Sequence, residues 1–131
     1  MSAIHLDYSM LSALQDVMED EYPTLLDVFI HDSDVRVALL RQMLARSPLD
    51  LRTHLHELTM IAHSFKGSSS NMGAVQLAAL CHQLEERSRR DEVAGVDELL
   101  VSIDNEYSTV RRLFDAERQL LIAQPLTTLN G

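Results

Sequence analysis

The residues with chemical potential gather in one short stretch, AHSFKGSSSNMGA at 62–74, where His63 is followed three and four residues later by Lys66 and Gly67, then by three serines and a second glycine. On a helix, positions i, i+3, i+4 and i+7 share a face, which groups His63, Lys66, Gly67 and Ser70. Ile61, Phe65, Ser68, Ser69 and Met72 form another stripe, apolar with two small members where a neighbouring helix can come close. The core takes that side, and His63 looks outward. A glycine inside a helix costs about 1 kcal/mol relative to alanine and makes no contact of its own. One turn past His63, it clears ground beside the ring for a large reactant or another protein's surface. Lys66 adds a flexible cation able to neutralise oxygens arriving there. These residue types describe an exposed nucleophilic histidine prepared for an anion.

A histidine nucleophile needs one nitrogen free and the ring held, usually by a hydrogen bond to the other nitrogen that fixes the tautomer. Glu85 is the candidate acceptor. It follows Leu84 at the edge of a core stripe, on a helix that must run back antiparallel because its link to the His63 helix is short. It is expected to accept from Nδ1–H of His63 and leave Nε2 to attack, whereas Gln83 and Glu86 rotate away.

The elements that position these groups are helices. Asp7 or Ser9 can cap a first short helix through about Asp20, and Pro23 suits the first turn of a second, ending near Arg46. Pro48 biases the residue before it out of helix, and Asp50 then caps a third helix from Leu51 towards Met72, with Gly73 its stop. A fourth runs from about Val75 to Arg90, carrying Leu77, Leu80, Cys81 and Leu84 on one stripe, and Gly95 marks the next break. The last keeps helical spacing through Val96, Leu99, Leu100, Ile103, Tyr107, Val110, Leu113, Phe114 and Leu121. No alternating strand pattern appears, so the expected fold is all-α: an antiparallel four-helix bundle with a short additional N-terminal helix. Residues 1–122 make one domain, and 123–131, with Pro125, read as a flexible tail.

Composition narrows the function further. The chain has 131 residues and a formal net charge of −9, a field that repels phosphate backbones and anionic lipid, so neither nucleic acid nor membrane is an expected partner. A single cysteine, Cys81, cannot close an internal disulfide, and MSAIHLDYSM lacks the basic start and apolar run of a secretory signal, which points to the cytoplasm. Paired Glu-x-x-His motifs for a di-metal bundle are absent, as is a phosphate-cradling glycine loop, so no metal site, no cofactor and no autonomous kinase activity are expected. His5, His31, His54 and His82 read as ordinary solvated or packed histidines. Arg87, Arg89 and Arg90 read as complements to the negative end of the fourth helix.

AHSFKGSSSNMGA followed by LAALCHQLEE resembles the histidine-containing phosphotransfer (HPt) domain, whose members carry a His-x-x-Lys-Gly-Ser core on a helical bundle. LLDVFIHDSDVRVALLRQML is similar to that family's preceding helix, so the likeness spans about residues 7 to 120. The resemblance implies that His63 is the phosphorylated histidine, Lys66 the lysine near the phosphoryl group, and Gly67 the glycine that admits the partner. Glu85 stands where members carry Gln or Glu bonded to the histidine, and Phe65 where Leu is commoner. It also implies the partners: receiver domains of a hybrid sensor kinase and of a response regulator, between whose aspartates the group is relayed, with Mg²⁺ on the receiver. His56, Thr59 and Met60, one and two turns before His63, and Ser70 after it complete the expected docking face, and a monomer is expected. The alternative is a helical adaptor that binds a receiver or other regulator without carrying phosphate.

Overall fold

The structure, a computed structural model, describes residues 4–45 and 48–128. Among the described residues six helices follow in order: α1 (Tyr8–Met18), α2 (Tyr22–Leu44), α3 (Pro48–Thr53), α4 (Leu55–Asn71), α5 (Val75–Arg89) and α6 (Val96–Thr128), with a 3₁₀ turn at Glu19–Glu21 between the first two. Among the described residues there is no strand. Four long helices, α2, α4, α5 and α6, form the bundle, and α1 is the added N-terminal helix.

Asp7 caps α1, its carboxylate accepting from Met10 N–H at 3.1 Å. The helix ends at Met18, short of Asp20, because the chain tightens into the 3₁₀ turn and Glu19 takes a positive φ of 49°. Pro23 lies in the first turn of α2, where its missing N–H costs nothing. That helix ends at Leu44; Arg46 lies outside the described residues.

The expected single helix from Leu51 to Met72 is divided. Pro48 begins a short helix of its own, so position 50 falls inside α3 and not at a cap. At His54 (φ −112°, ψ 14°) the ladder tightens: His54 N–H bonds the Leu51 carbonyl, and the regular pattern resumes with Leu58 N–H on the His54 carbonyl. Burial of both Leu51 and Leu55 holds the two segments to one core. Gly73 stops α4 as expected, just past its end at φ +70°, a left-handed conformation that a side chain would strain. A Cβ there would also meet the Asp7 carbonyl at 3.2 Å.

The core is built from one face of each helix: Leu26, Phe29, Val37 and Leu40 of α2; Leu58, Ala62 and Phe65 of α4; Leu77, Cys81 and Leu84 of α5; Ile103, Tyr107, Val110 and Phe114 of α6. Phe29 meets Phe114 edge-on at 5.5 Å between centroids, and Phe65 meets Tyr107 at 6.0 Å. Of the stripe expected on α4, Phe65, Ser69 and Met72 are buried, while Ile61 and Ser68 lie at its half-buried margins.

At the rim of this core, α2 and α6 are laced by polar pairs. Tyr22 donates to Glu117 at 3.0 Å, Arg118 pairs with Asp27, Tyr107 and Arg111 both reach Asp34, and Arg41 forks onto Asp104 at 2.7 and 2.9 Å. From Tyr22 and Asp27 to Arg41 on α2, the partners on α6 step back from Glu117 and Arg118 to Asp104, so the two helices run antiparallel. The helical backbone of α6 continues to Thr128, past Ala123 where a tail is expected.

Candidate functional site

Burial of Ala62 and Phe65 leaves the position between them facing solvent. The His63 side chain is accordingly 69% exposed. One turn on, a Cβ added at Gly67 would meet no atom within 4 Å. The glycine therefore makes no room for a neighbouring helix; the space it leaves is open to the outside.

α5 supplies what holds the ring. Small residues along the hairpin, Ala62 and Ser69 on α4 with Ala78 and Cys81 on α5, are all buried, and the two helices pack closely. Glu85, expected at the edge of the core stripe, is enclosed at 1% exposure. Its Oε2 accepts from His63 Nδ1 at 2.7 Å. Because a carboxylate only accepts, Nδ1 carries a proton, and in the neutral ring Nε2 is then the nitrogen with the lone pair. Lys66 Nζ stands 2.6 Å from Oε1 of the same carboxylate. Lys66 beside it holds the Glu85 carboxyl below its ordinary value of 4.5, against burial, which pushes the other way, and with His63 adding to the lowering.

Arg89 also reaches this carboxylate. Its Nη2 donates to Oε2 at 2.7 Å and its Nη1 to Glu86 at 2.9 Å. Sequence reasoning assigned it to the helix end; its signal was the i, i+4 spacing from Glu85, which looks like any exposed surface pair until Glu85 is known to be buried.

The expected docking residues divide. His56, Met60 and Ser70 are exposed, with Met60 at 60%. Thr59 is half-buried and turned inward, its hydroxyl within hydrogen-bond distance of the Leu55 carbonyl (2.9 Å) and of Ser88 Oγ (2.8 Å), so it is a strut between α4 and α5 and its hydroxyl does not serve the open face. On the other flank a groove lined by Val28, Asp32, Arg36, Ser68 and Asn71 joins α2 to α4, with Val28 half exposed. Burial pushes the Cys81 thiol up to about 12, which removes it as a nucleophile. Among the described residues no group of three or more His, Cys, Asp or Glu side chains could hold a metal ion, and no helix is long and apolar enough to cross a membrane.

Fold and site together define a helical bundle whose α4 presents an oriented imidazole that is 69% exposed; His5, at 35%, is bonded through Nδ1 to Glu106 at 2.7 Å in a similar way but is more enclosed. The Hpt domain family matches residues 24–116, and the chain belongs to that family. Its structure is similar to the crystal structure of histidine-containing phosphotransfer protein B (HptB) from Pseudomonas aeruginosa PAO1, with a TM-score of 0.80, 47% identity, and coverage of 90% of this chain and 97% of that one. It also shares the fold of a putative histidine-containing phosphotransfer protein from rice, with a TM-score of 0.74, 19% identity, and coverage of 88% of this chain and 81% of the other. Among curated proteins no match is found.

Proposed function

We propose that this protein relays phosphoryl groups between receiver domains, with His63 as the carrier. The observation that carries the reading is the His63–Glu85 pair: a buried carboxylate binds Nδ1 at 2.7 Å, so the exposed ring offers Nε2 beside the open space at Gly67. Histidine phosphotransfer within phosphorelays is the activity of the family, and this geometry suits it.

In the mechanism, the lone pair of Nε2 attacks in line the phosphorus of an aspartyl phosphate on a docked receiver. The P–N bond forms as the P–O bond breaks, and the electron pair leaves on the receiver's carboxylate. Nδ1 keeps its proton throughout, and the positive charge that develops on the ring is stabilised by Glu85. Lys66 offsets charge on the phosphoryl oxygens. The reverse step on a second receiver empties the site. Mg²⁺ belongs to the receiver in this scheme, and no cofactor is bound by the bundle.

The phosphoryl group comes from another protein, since no motif for ATP is present, and the donor and acceptor are the receivers of a hybrid sensor kinase and of a response regulator. Met60, His56 and Ser70 line the docking face around the ring, and the protein acts as a cytoplasmic monomer. The test is to mix the protein with a receiver phosphorylated on its aspartate and to look for acid-labile, alkali-stable phosphate. Label on the wild type and none on His63→Gln is the expected result. A wild type that stays unlabelled with several receivers, while its far-ultraviolet spectrum remains helical, leaves an adaptor that binds without carrying phosphate.

A further inference from the structure

Glu85 is attended by more positive charge than its own charge requires. One enclosed carboxylate faces two cations, Lys66 at 2.6 Å on Oε1 and Arg89 at 2.7 Å on Oε2, and it also accepts from Nδ1 of His63. The two cations are held differently. Arg89 is fixed from its own helix, forked between Glu85 and Glu86 at i−4 and i−3. Lys66 has no other partner than Glu85 among the ion pairs of the described residues, and it hangs on a four-carbon stem with several rotatable bonds.

That asymmetry has a physical consequence. A carboxylate that is 1% exposed and attended by one cation holds it tightly, because losing it leaves a buried charge unpaired. With a second cation anchored on the other oxygen, the first can leave. Lys66 sits three residues after His63, within a stem's reach of whatever arrives at Nε2, while Arg89 shares Oε2 with Nδ1 behind the ring.

We propose that Arg89 is a positioning residue: by keeping Glu85 paired through Oε2, it frees Lys66 to move from Oε1 to the oxygens of the incoming phosphoryl group. The proposal rests on the reading of His63 as the carrier. In sequence, the receiver docks, Lys66 changes partner, Nε2 takes the phosphorus as the aspartyl oxygen leaves with its electron pair, and Arg89 remains on the carboxylate that stabilises the charged ring. The charged groups at the site are then Glu85 on the imidazole, Lys66 from α4 and Arg89 from α5 on the Glu85 carboxylate, and Glu86 on the other nitrogen of Arg89.

The test uses the full chain carrying Arg89→Gln, a change at a side chain more than half exposed that leaves the core untouched, and Arg89→Lys as the conservative variant. Two readouts are needed. In the unphosphorylated protein, the titration of the His63 ring followed by NMR moves to higher pH in Arg89→Gln, by about half a unit, because the carboxylate loses a competing cation and holds the protonated ring better. A merely structural role predicts the opposite, since a loosened Glu85 would hold the protonated ring less well. In transfer from a phosphorylated receiver, Arg89→Gln is slowed on the order of tenfold, since Lys66 stays on Glu85, and Arg89→Lys recovers much of the rate. A midpoint that does not rise, or transfer by Arg89→Gln at the wild-type rate, overturns the proposal. A wild type that accepts no phosphoryl group overturns the carrier reading and the hand-over with it, an outcome visible apart from the titration.

Discussion

Replacing Gly67 separates two demands that normally point the same way, stability and function. The residue sits inside α4, one turn before its end, where glycine costs up to about 1 kcal/mol relative to alanine, and a Cβ there touches nothing within 4 Å. Gly67→Ala is therefore expected to stabilise the fold by up to about 1 kcal/mol. For 131 residues that corresponds to a rise in melting temperature of up to about 4 °C. Urea unfolding followed by circular dichroism measures the free energy, and the midpoint should rise without a change in slope. Gly67→Gln should likewise fold, because a long side chain at this position points into open space. Phosphoryl transfer should respond in the opposite direction. A side chain projecting beside His63 holds the receiver away from Nε2, and a displacement on the order of 1 Å costs about 100-fold in rate. The comparison is made by rapid-quench transfer from a phosphorylated receiver to wild type, Gly67→Ala and Gly67→Gln. Two results would refute the reasoning: a Gly67→Ala protein less stable than wild type, which would mean that the glycine serves packing, or a Gly67→Gln protein that transfers at the wild-type rate.

Met60→Asp places a charge on the most exposed apolar side chain of α4, so transfer should slow while the urea midpoint stays within about 0.5 kcal/mol of wild type. Unchanged kinetics would remove Met60 from the docking face. Glu85→Gln is predicted to change how stability depends on acid. The Glu85 carboxyl titrates below its ordinary 4.5 in the fold, so its contribution is present above that pH and is lost as pH falls through and below it. The stability gap between wild type and Glu85→Gln, read from urea midpoints across roughly pH 5 to 3, should therefore narrow as pH falls; a constant gap would show that the carboxylate's charge does not matter to the fold.

Much of the site was legible because it follows from helical phase. Ala62 and Phe65 are apolar and His63 lies between them, so burying one face exposes the other, and the same phase places Gly67 beside the ring. The depth of Glu85 was not legible in this way. A wheel assigns an angle to a residue, whereas its burial depends on how near the next helix comes, and here small residues on both partners close the α4–α5 gap. The role of Arg89 depends on that depth and was missed with it. Thr59 shows the converse error: its angle lies close to that of His63, but a neighbouring hydroxyl on Ser88 draws it inward. The start of the third helix turned on a competition between two signals, in which Pro48 prevailed over Asp50, while no signal in the sequence marked the break at His54.

The α4–α5 hairpin and the α2–α6 lacing differ in how far along the chain they reach. His63 and Glu85 are 22 residues apart, and a three-residue turn at 72–74 brings them together. Tyr22 and Glu117 are 95 apart, and Arg41 and Asp104 are 63 apart. Closing the short loop costs less chain entropy than closing the long ones. The hairpin that carries His63 and Glu85 can thus assemble before the outer helices are drawn together, and it can persist when they part locally. Fluctuations that open the α2–α6 seam need not disturb the bond between Glu85 and the ring.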